Sequence, residues 1–133
     1  MVHMHGELTK ARCIACGTSV SATSDLEATT LCPSCTSVGR MRPDIVWFKE
    51  MPMQLDLIYA ALERCQLFVA IGTSGQVYPA AGFVEIAKGV GAHTIEFNLE
   101  PSAVSDLFAE RRYGPAGQII PAFVTEILSL QRA

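Results

Sequence analysis

The chain has 133 residues, half of them hydrophobic and 17% charged, with a formal net charge of −3. That length holds one compact domain, or one domain with a small insert. The acidic balance argues against a nucleic-acid footprint, which shows a Lys/Arg excess, and no run of ~18 apolar residues marks a transmembrane helix.

The opening Met1-Val2-His3-Met4-His5-Gly6 lacks the charged and apolar regions of a secretion signal, so a cytoplasmic location is expected. Residues 8–42 are rich in Thr, Ser, Cys and Gly and show no long helical period. Such a segment buries too little surface to fold alone and would need a metal. From residue 43 the pattern changes. Ile45-Val46-Trp47-Phe48 predicts a strand. Pro52 opens a helix with Leu55, Ile58, Tyr59, Leu62 and Cys65 on one face, where Cys65 reads as a buried core thiol. Leu67-Phe68-Val69-Ala70-Ile71 predicts a buried strand running into the loop Gly72-Thr73-Ser74-Gly75. A helix follows from Pro79 to the Gly89/Gly91 stop, then a strand over His93–Phe97 and a turn over Asn98–Pro101. Ser102 is placed to cap a helix through Leu107, Gln118–Ile120 reads as a last strand, and Pro121 opens a terminal helix with Phe123, Ile127 and Leu130. The alternation predicts an α/β fold with a parallel sheet.

Cys13 and Cys16 are separated by two residues, as are Cys32 and Cys35, with residues 17–31 between the pairs. Two such knuckles converge four thiolates on one tetrahedral ion, and a closed four-sulfur shell makes a structural zinc site. Lys10, Arg12, Arg40 and Arg42 flank it, but Asp25 and Glu27 dilute them, so solvated surface charge is expected rather than a nucleic-acid ribbon. The Gly72–Gly75 loop follows a strand at the sheet edge where open α/β folds bind ligands. It is neither a phosphate-binding P-loop nor a dinucleotide fingerprint, and a plain βα turn accounts for it equally well. Asn98 and Glu100 end the next strand on the same edge, where they suit ribose hydroxyls or simple turn capping. His3 and His5 share a strand parity, which alone does not make a metal site.

Taken together, Met4–Leu8, the two knuckles, Arg42–Pro52, Ala70–Phe83 and Asn98–Ser102 stand in the order and spacing of a sirtuin. The chain resembles in particular the bacterial NAD-dependent protein lysine deacylases of the desuccinylase-like class. The resemblance implies a Rossmann-type NAD domain with a small zinc module, and an acyl-lysine peptide held as a strand in the cleft between them. It implies three segments: 1–7 with the catalytic histidine, 8–42 as the zinc module, and 43–133 as the C-terminal part of the NAD-binding domain. His5 would be the base that deprotonates a ribose hydroxyl. Gly72, Thr73, Ser74, Asn98, Leu99 and Glu100 would hold NAD, with Ala116 near the adenine. Val46, Trp47 and Phe48 with Gly75, Gln76 and Val77 would line the peptide. The products would be nicotinamide and O-acyl-ADP-ribose.

Two departures qualify the resemblance. Sirtuins commonly have glycine where this chain has Lys49. They also carry, before the His-Gly pair, a glycine-rich NAD phosphate loop and a Gln-Asn-Ile/Val-Asp motif, and neither is in these residues. The chain therefore corresponds to a C-terminal half. The expectation is a deacylase half that works with an N-terminal part; the alternative is an inactive zinc-binding remnant serving as a binding module.

Overall fold

The computed structural model describes residues 1–130, the side chain of Leu130 excepted. The chain divides into two compact units, Met1–Ile58 and Tyr59 onward.

The first unit is built on an antiparallel sheet of β1 (Gly6–Cys13), β2 (Ser19–Ser21) and β3 (Met41–Ile45), in the order β2-β1-β3. The pairing of β1 with β3 shifts register between Glu7 and Ala11. The strand expected over Ile45–Phe48 thus lies earlier, over Met41–Ile45. Its Pro43 is tolerated because β3 is an edge strand. Trp47 and Phe48 leave the sheet into a turn and are exposed, Phe48 to 95%. Their apolar character imitates a buried strand without being one.

The helix α1 (Leu55–Leu62) is shorter than expected and ends before Cys65, which is half-buried. Its less exposed positions, Leu55, Ile58, Tyr59 and Leu62, keep the helical period.

The second unit carries a parallel sheet of β4 (Leu67–Ile71), β5 (His93–Asn98) and β6 (Glu110–Tyr113), in that order. With its helices this is a Rossmann-type α/β arrangement. β4 is an edge strand among the described residues, so Leu67 and Ile71 are exposed rather than buried as expected. β5 is central and covered on both faces: Ile95 and Phe97 are fully buried, and so are Thr94 and Glu96 of the opposite parity.

A 3-10 turn over Ala80–Gly82 leads into α2 (Phe83–Gly89). α2 ends in a Schellman arrangement: Ala92 N–H donates to Ala87 O at 3.0 Å and Gly91 N–H to Lys88 O at 3.0 Å, with Gly91 at φ +82.

Two expectations fail at the C-terminal end. Ser102 caps no helix, because Ser105–Leu107 is a single 3-10 turn. The last strand is β6, not Gln118–Ile120, which lies inside α3 (Ala116–Leu130). Ile119, Ile120 and Ile127 pack with Phe123 against Ile95 and Phe97. The Phe97 and Phe123 rings stand 4.9 Å apart. Pro121 inside α3 costs about 3 kcal/mol, but each buried Ile or Phe contributes roughly 1.5–3 kcal/mol, so the face outweighs the proline.

Candidate functional site

Three groups of residues carry chemistry. In the first unit, the sulfurs of Cys13, Cys16, Cys32 and Cys35 all lie within 4.8 Å of one another. The two knuckles are built alike. In each, the first cysteine's carbonyl accepts from the residue four further on (Gly17 N–H to Cys13 O at 2.8 Å, Thr36 N–H to Cys32 O at 2.9 Å), and that residue is left-handed, at φ +77 and +59. Glycine adopts this readily and threonine does not. Cys13 and Cys35 are 3.7 Å apart, as are Cys16 and Cys32. A tetrahedral ion with sulfur bonds of about 2.3 Å sets its sulfurs roughly 3.8 Å apart, so the cage fits zinc.

Protons alone are held unevenly in this cage. The Ser37 hydroxyl and backbone beside Cys35 pull its thiol down to about 6. Backbone N–H groups of Cys35 and Ser34 also pull on Cys32, but burial and the adjoining thiols outweigh them and push it up to about 11. A dication held by the four sulfurs would remove that conflict by keeping all four as thiolates.

His5 is exposed and lies immediately before β1. Its carbonyl accepts the Val46 N–H at 2.9 Å, and Met4 O accepts the Met53 N–H at 2.8 Å. The backbone thus places His5 alongside Val46, the residue before Trp47 and Phe48. This approach depends on Gly6. Its φ is +81, and a Cβ there would sit 2.0 Å from Asp44 O. The turn after Phe48 closes with Glu50 N–H donating to Trp47 O at 3.0 Å. The Glu50 carboxylate accepts Arg42 Nη1 at 2.5 Å, Arg42 Nη2 at 2.9 Å and the Trp47 N–H at 2.9 Å. These partners, the Arg42 guanidinium first, hold the Glu50 carboxyl down at about 2. The Arg42 guanidinium also stacks 3.9 Å over the Trp47 ring.

In the second unit, Gly72, Thr73, Ser74 and Gln76 face Asn98, Leu99 and Glu100 across one open cleft of about 580 Å³. The Asn98 amide donates to Thr73 O at 2.7 Å, Gly72 N–H donates to Phe97 O at 2.9 Å, and Ala103 N–H donates to Ser74 O at 2.9 Å. These bonds fix the two loops to each other. Gly72 is at φ +63, and a Cβ there would meet nothing within 4 Å, so its open side is available to a ligand. Gly75 is buried under the loop, at φ +65, and a Cβ there would meet Val104 Cγ2 at 2.6 Å. The sequence places Ser102 at a helix cap and gives Pro101 and Ala103 no role in a site, yet all three line the cleft. Their position directly after Asn98–Glu100 is the available signal. Ala116 is exposed at the start of α3 and Val77 is exposed; neither lines this cleft.

Comparisons with known proteins place the chain in a family. The Sir2 family model matches residues 1–79. The NAD-dependent protein deacylase of Vibrio cholerae serotype O1 is 56% identical over 131 residues, covering 98% of this chain and 53% of that protein. The protein of the same name in Escherichia coli strain K12 is 52% identical over 128 residues, covering 96% and 46%. Among solved structures, a complex of a Sir2 homologue with NAD superposes with a TM-score of 0.84 at 30% identity, over 97% of this chain and 51% of that one. Sir2Tm bound to a propionylated peptide gives 0.75 at 25% identity, over 92% and 54%. The chain spans about half the length of the curated relatives it matches. The family model covers more than half of the chain; the chain belongs to the Sir2 family.

Proposed function

We propose that this chain is the zinc-bearing, base-bearing half of an NAD-dependent protein lysine deacylase. The observation that carries the reading is the single cleft shared by Gly72–Ser74 and Asn98–Glu100, tied together by the Asn98 amide. Backbone amides, hydroxyls and one carboxylate converge there, a donor and acceptor set suited to ribose hydroxyls. Gly72 leaves room for close approach. Ala116 is carried over as an adenine neighbour by the family resemblance.

NAD, when bound, supplies the ribosyl carbon that receives the acyl oxygen as nicotinamide leaves. The chain's own residues do the rest. His5 takes the proton from a ribose hydroxyl. Val46, Trp47 and Phe48 hold the acyl-lysine peptide beside it, since the Val46–His5 backbone bond fixes the two together. Gly75, Gln76 and Val77 are the further peptide residues. Cys13, Cys16, Cys32 and Cys35 hold zinc as a structural ion, with no ligand position left for catalysis. A reducing cytoplasm fits these thiolates. Residues 1–7, 8–42 and 43–133 divide the labour into base, zinc module and part of the NAD domain.

A glycine-rich diphosphate loop and a Gln-Asn-Ile/Val-Asp motif are not among these 133 residues, which by themselves should bind NAD weakly and show no turnover. Positioning of reactants is worth roughly 7–11 kcal/mol in favourable cases, and a base without it does little. The test is nicotinamide release from NAD and an acyl-lysine peptide, with and without the co-expressed N-terminal half of the Vibrio cholerae relative. Turnover should require both halves and be abolished by His5→Ala, with zinc content and fold unchanged. An active His5→Ala complex removes the assigned base; turnover by the chain alone overturns the two-part reading.

A further inference from the structure

Lys49 is a lysine in a glycine's conformation. Its φ is +75, in the left-handed region. It is the third residue of the turn closed by Glu50 N–H on Trp47 O, a position whose geometry favours Gly or Asn. The other left-handed residues with side chains are Thr36 and Gln54. Thr36 is required by the second zinc knuckle, where it makes the turn bond to Cys32 O and its hydroxyl donates to Cys35 O at 2.7 Å. Lys49, like Gln54, has no such return: it makes no side-chain hydrogen bond or ion pair among the described residues, and it is exposed, but it alone of the two carries a charge. Strain retained without a local contact points to function.

The surroundings say what that function is. Lys49 directly follows the exposed aromatics Trp47 and Phe48. The neighbouring charges are already consumed. Arg42 and Glu50 neutralise each other at 2.5 Å, and Asp44 faces Arg12 at 3.4 Å. This edge therefore presents two aromatic side chains and one uncompensated ammonium, on a chain whose overall charge is negative.

We propose that Lys49 is a specificity-determining residue that favours acyl-lysine segments flanked by Asp or Glu. This rests on the reading that Val46–Phe48 holds the peptide. An exposed ammonium one residue beyond that segment meets the flanks of an extended peptide, not its central acyl-lysine. It acts as a point charge, so position along the flank is loosely specified and salt weakens the preference.

The experiment is fluorescence anisotropy with labelled acetyl-lysine peptides that differ only in their flanks: Glu, Ala or Lys. The protein is the full chain co-expressed with the N-terminal half of the Vibrio cholerae relative. The Glu-flanked peptide should bind about twofold to fivefold more tightly than the Ala-flanked one, the range of an exposed ion pair. Lys49→Arg should keep that ratio, Lys49→Gly should bring it to one, and Lys49→Glu should invert it in favour of the Lys-flanked peptide. A merely structural lysine would move all three peptides together. Equal affinities in the unsubstituted complex, or a ratio unchanged in Lys49→Gly, overturn the inference while leaving peptide binding at Val46–Phe48 intact. Failure of every peptide to bind overturns the peptide-wall reading and the inference with it.

Discussion

Replacing Gly6 by alanine puts the strongest local demand of the site to the test. At φ +81 an alanine loses about 1–2 kcal/mol to the left-handed backbone alone. The added Cβ would also lie 2.0 Å from Asp44 O, 2.7 Å from Ile45 Cα and 2.8 Å from Asp44 C. All three are backbone atoms of the paired strand segment, so no side chain can swing away. β3 must retreat from β1, and the Val46 N–H to His5 O bond goes with it. A lost hydrogen bond adds about 0.5–1.5 kcal/mol, giving roughly 1.5–3.5 kcal/mol in total, a large share of the ~5–15 kcal/mol that holds a domain folded. Gly17→Ala is the control. Its φ is +77, but nothing lies within 4 Å of its Cβ position, so only the backbone cost applies. Urea unfolding followed through the single tryptophan, Trp47, measures both. Gly6→Ala should lose at least about 1 kcal/mol more than Gly17→Ala, the size of the lost bond. Equal losses would refute the argument that close strand approach, rather than φ alone, demands glycine beside His5.

Purified protein should contain one zinc per chain by mass spectrometry, and Cys13→Ser, which removes a buried ligand, should release it and unfold residues 8–42; a stoichiometry near zero with all thiols reactive would end the zinc reading. Glu50 titrates at about 2 in the folded chain against an ordinary 4.5, so its stabilising bond to Arg42 is fully present above 4.5 and is lost as pH falls toward 2. Trp47 emission should therefore shift across that window in the unsubstituted chain and stay flat there in Glu50→Gln; identical acid profiles would show that the clamp does not order the turn. Gly72→Ala should cost only about 1–2 kcal/mol of stability, because its Cβ meets open space, yet weaken NAD binding in the two-part complex by calorimetry; unchanged NAD affinity would place the nucleotide elsewhere.

How much of this is legible in the sequence depends on whether the cause is local. The zinc cage is legible because its geometry is written in spacing: two residues between paired cysteines make a knuckle wherever the rest of the chain goes. α2 is legible because its apolar positions Phe83, Val84 and Ala87 are the buried ones, and β5 because Ile95 and Phe97 alternate, although Thr94 and Glu96 of the opposite parity are buried too. β6 is not, because Glu110-Arg111-Arg112-Tyr113 has no apolar run. Its polar groups find partners distant in sequence, Arg112 in Glu126 at 2.7 Å and Tyr113 in Glu96 at 3.1 Å, besides the ion pair of Arg112 with Glu110 within the strand. Pro121 misleads in the opposite direction. It reads as a helix start, and the Ile119-Ile120 doublet before it then reads as a strand. Only the contact of that doublet with Ile95 and Phe97 shows it to be the core face of α3.

The same distinction separates the parts of the candidate site. Gly72–Gly75 and Asn98–Glu100 are each too common to carry a function; in the sequence they are joined by their place at neighbouring strand ends on one sheet edge and by the family resemblance. The structure adds the reason they act together: the Asn98 amide reaches Thr73 O across 25 residues of chain. This bond occupies an Asn98 side-chain donor, while Asn98 Oδ1 accepts the Leu99 N–H at 3.0 Å. Asn98 is thus engaged through both its amide nitrogen and its oxygen, and it is better read as the residue that holds the loops in register than as a free donor awaiting a ligand. On the proposed reading, the groups left to meet a ribose are the Glu100 carboxylate, the Ser74 hydroxyl and the open backbone at Gly72, while the Thr73 hydroxyl already accepts the Gly75 N–H at 3.3 Å. A substitution at Asn98 should consequently disturb the cleft through loop position, and one at Glu100 through direct loss of an acceptor.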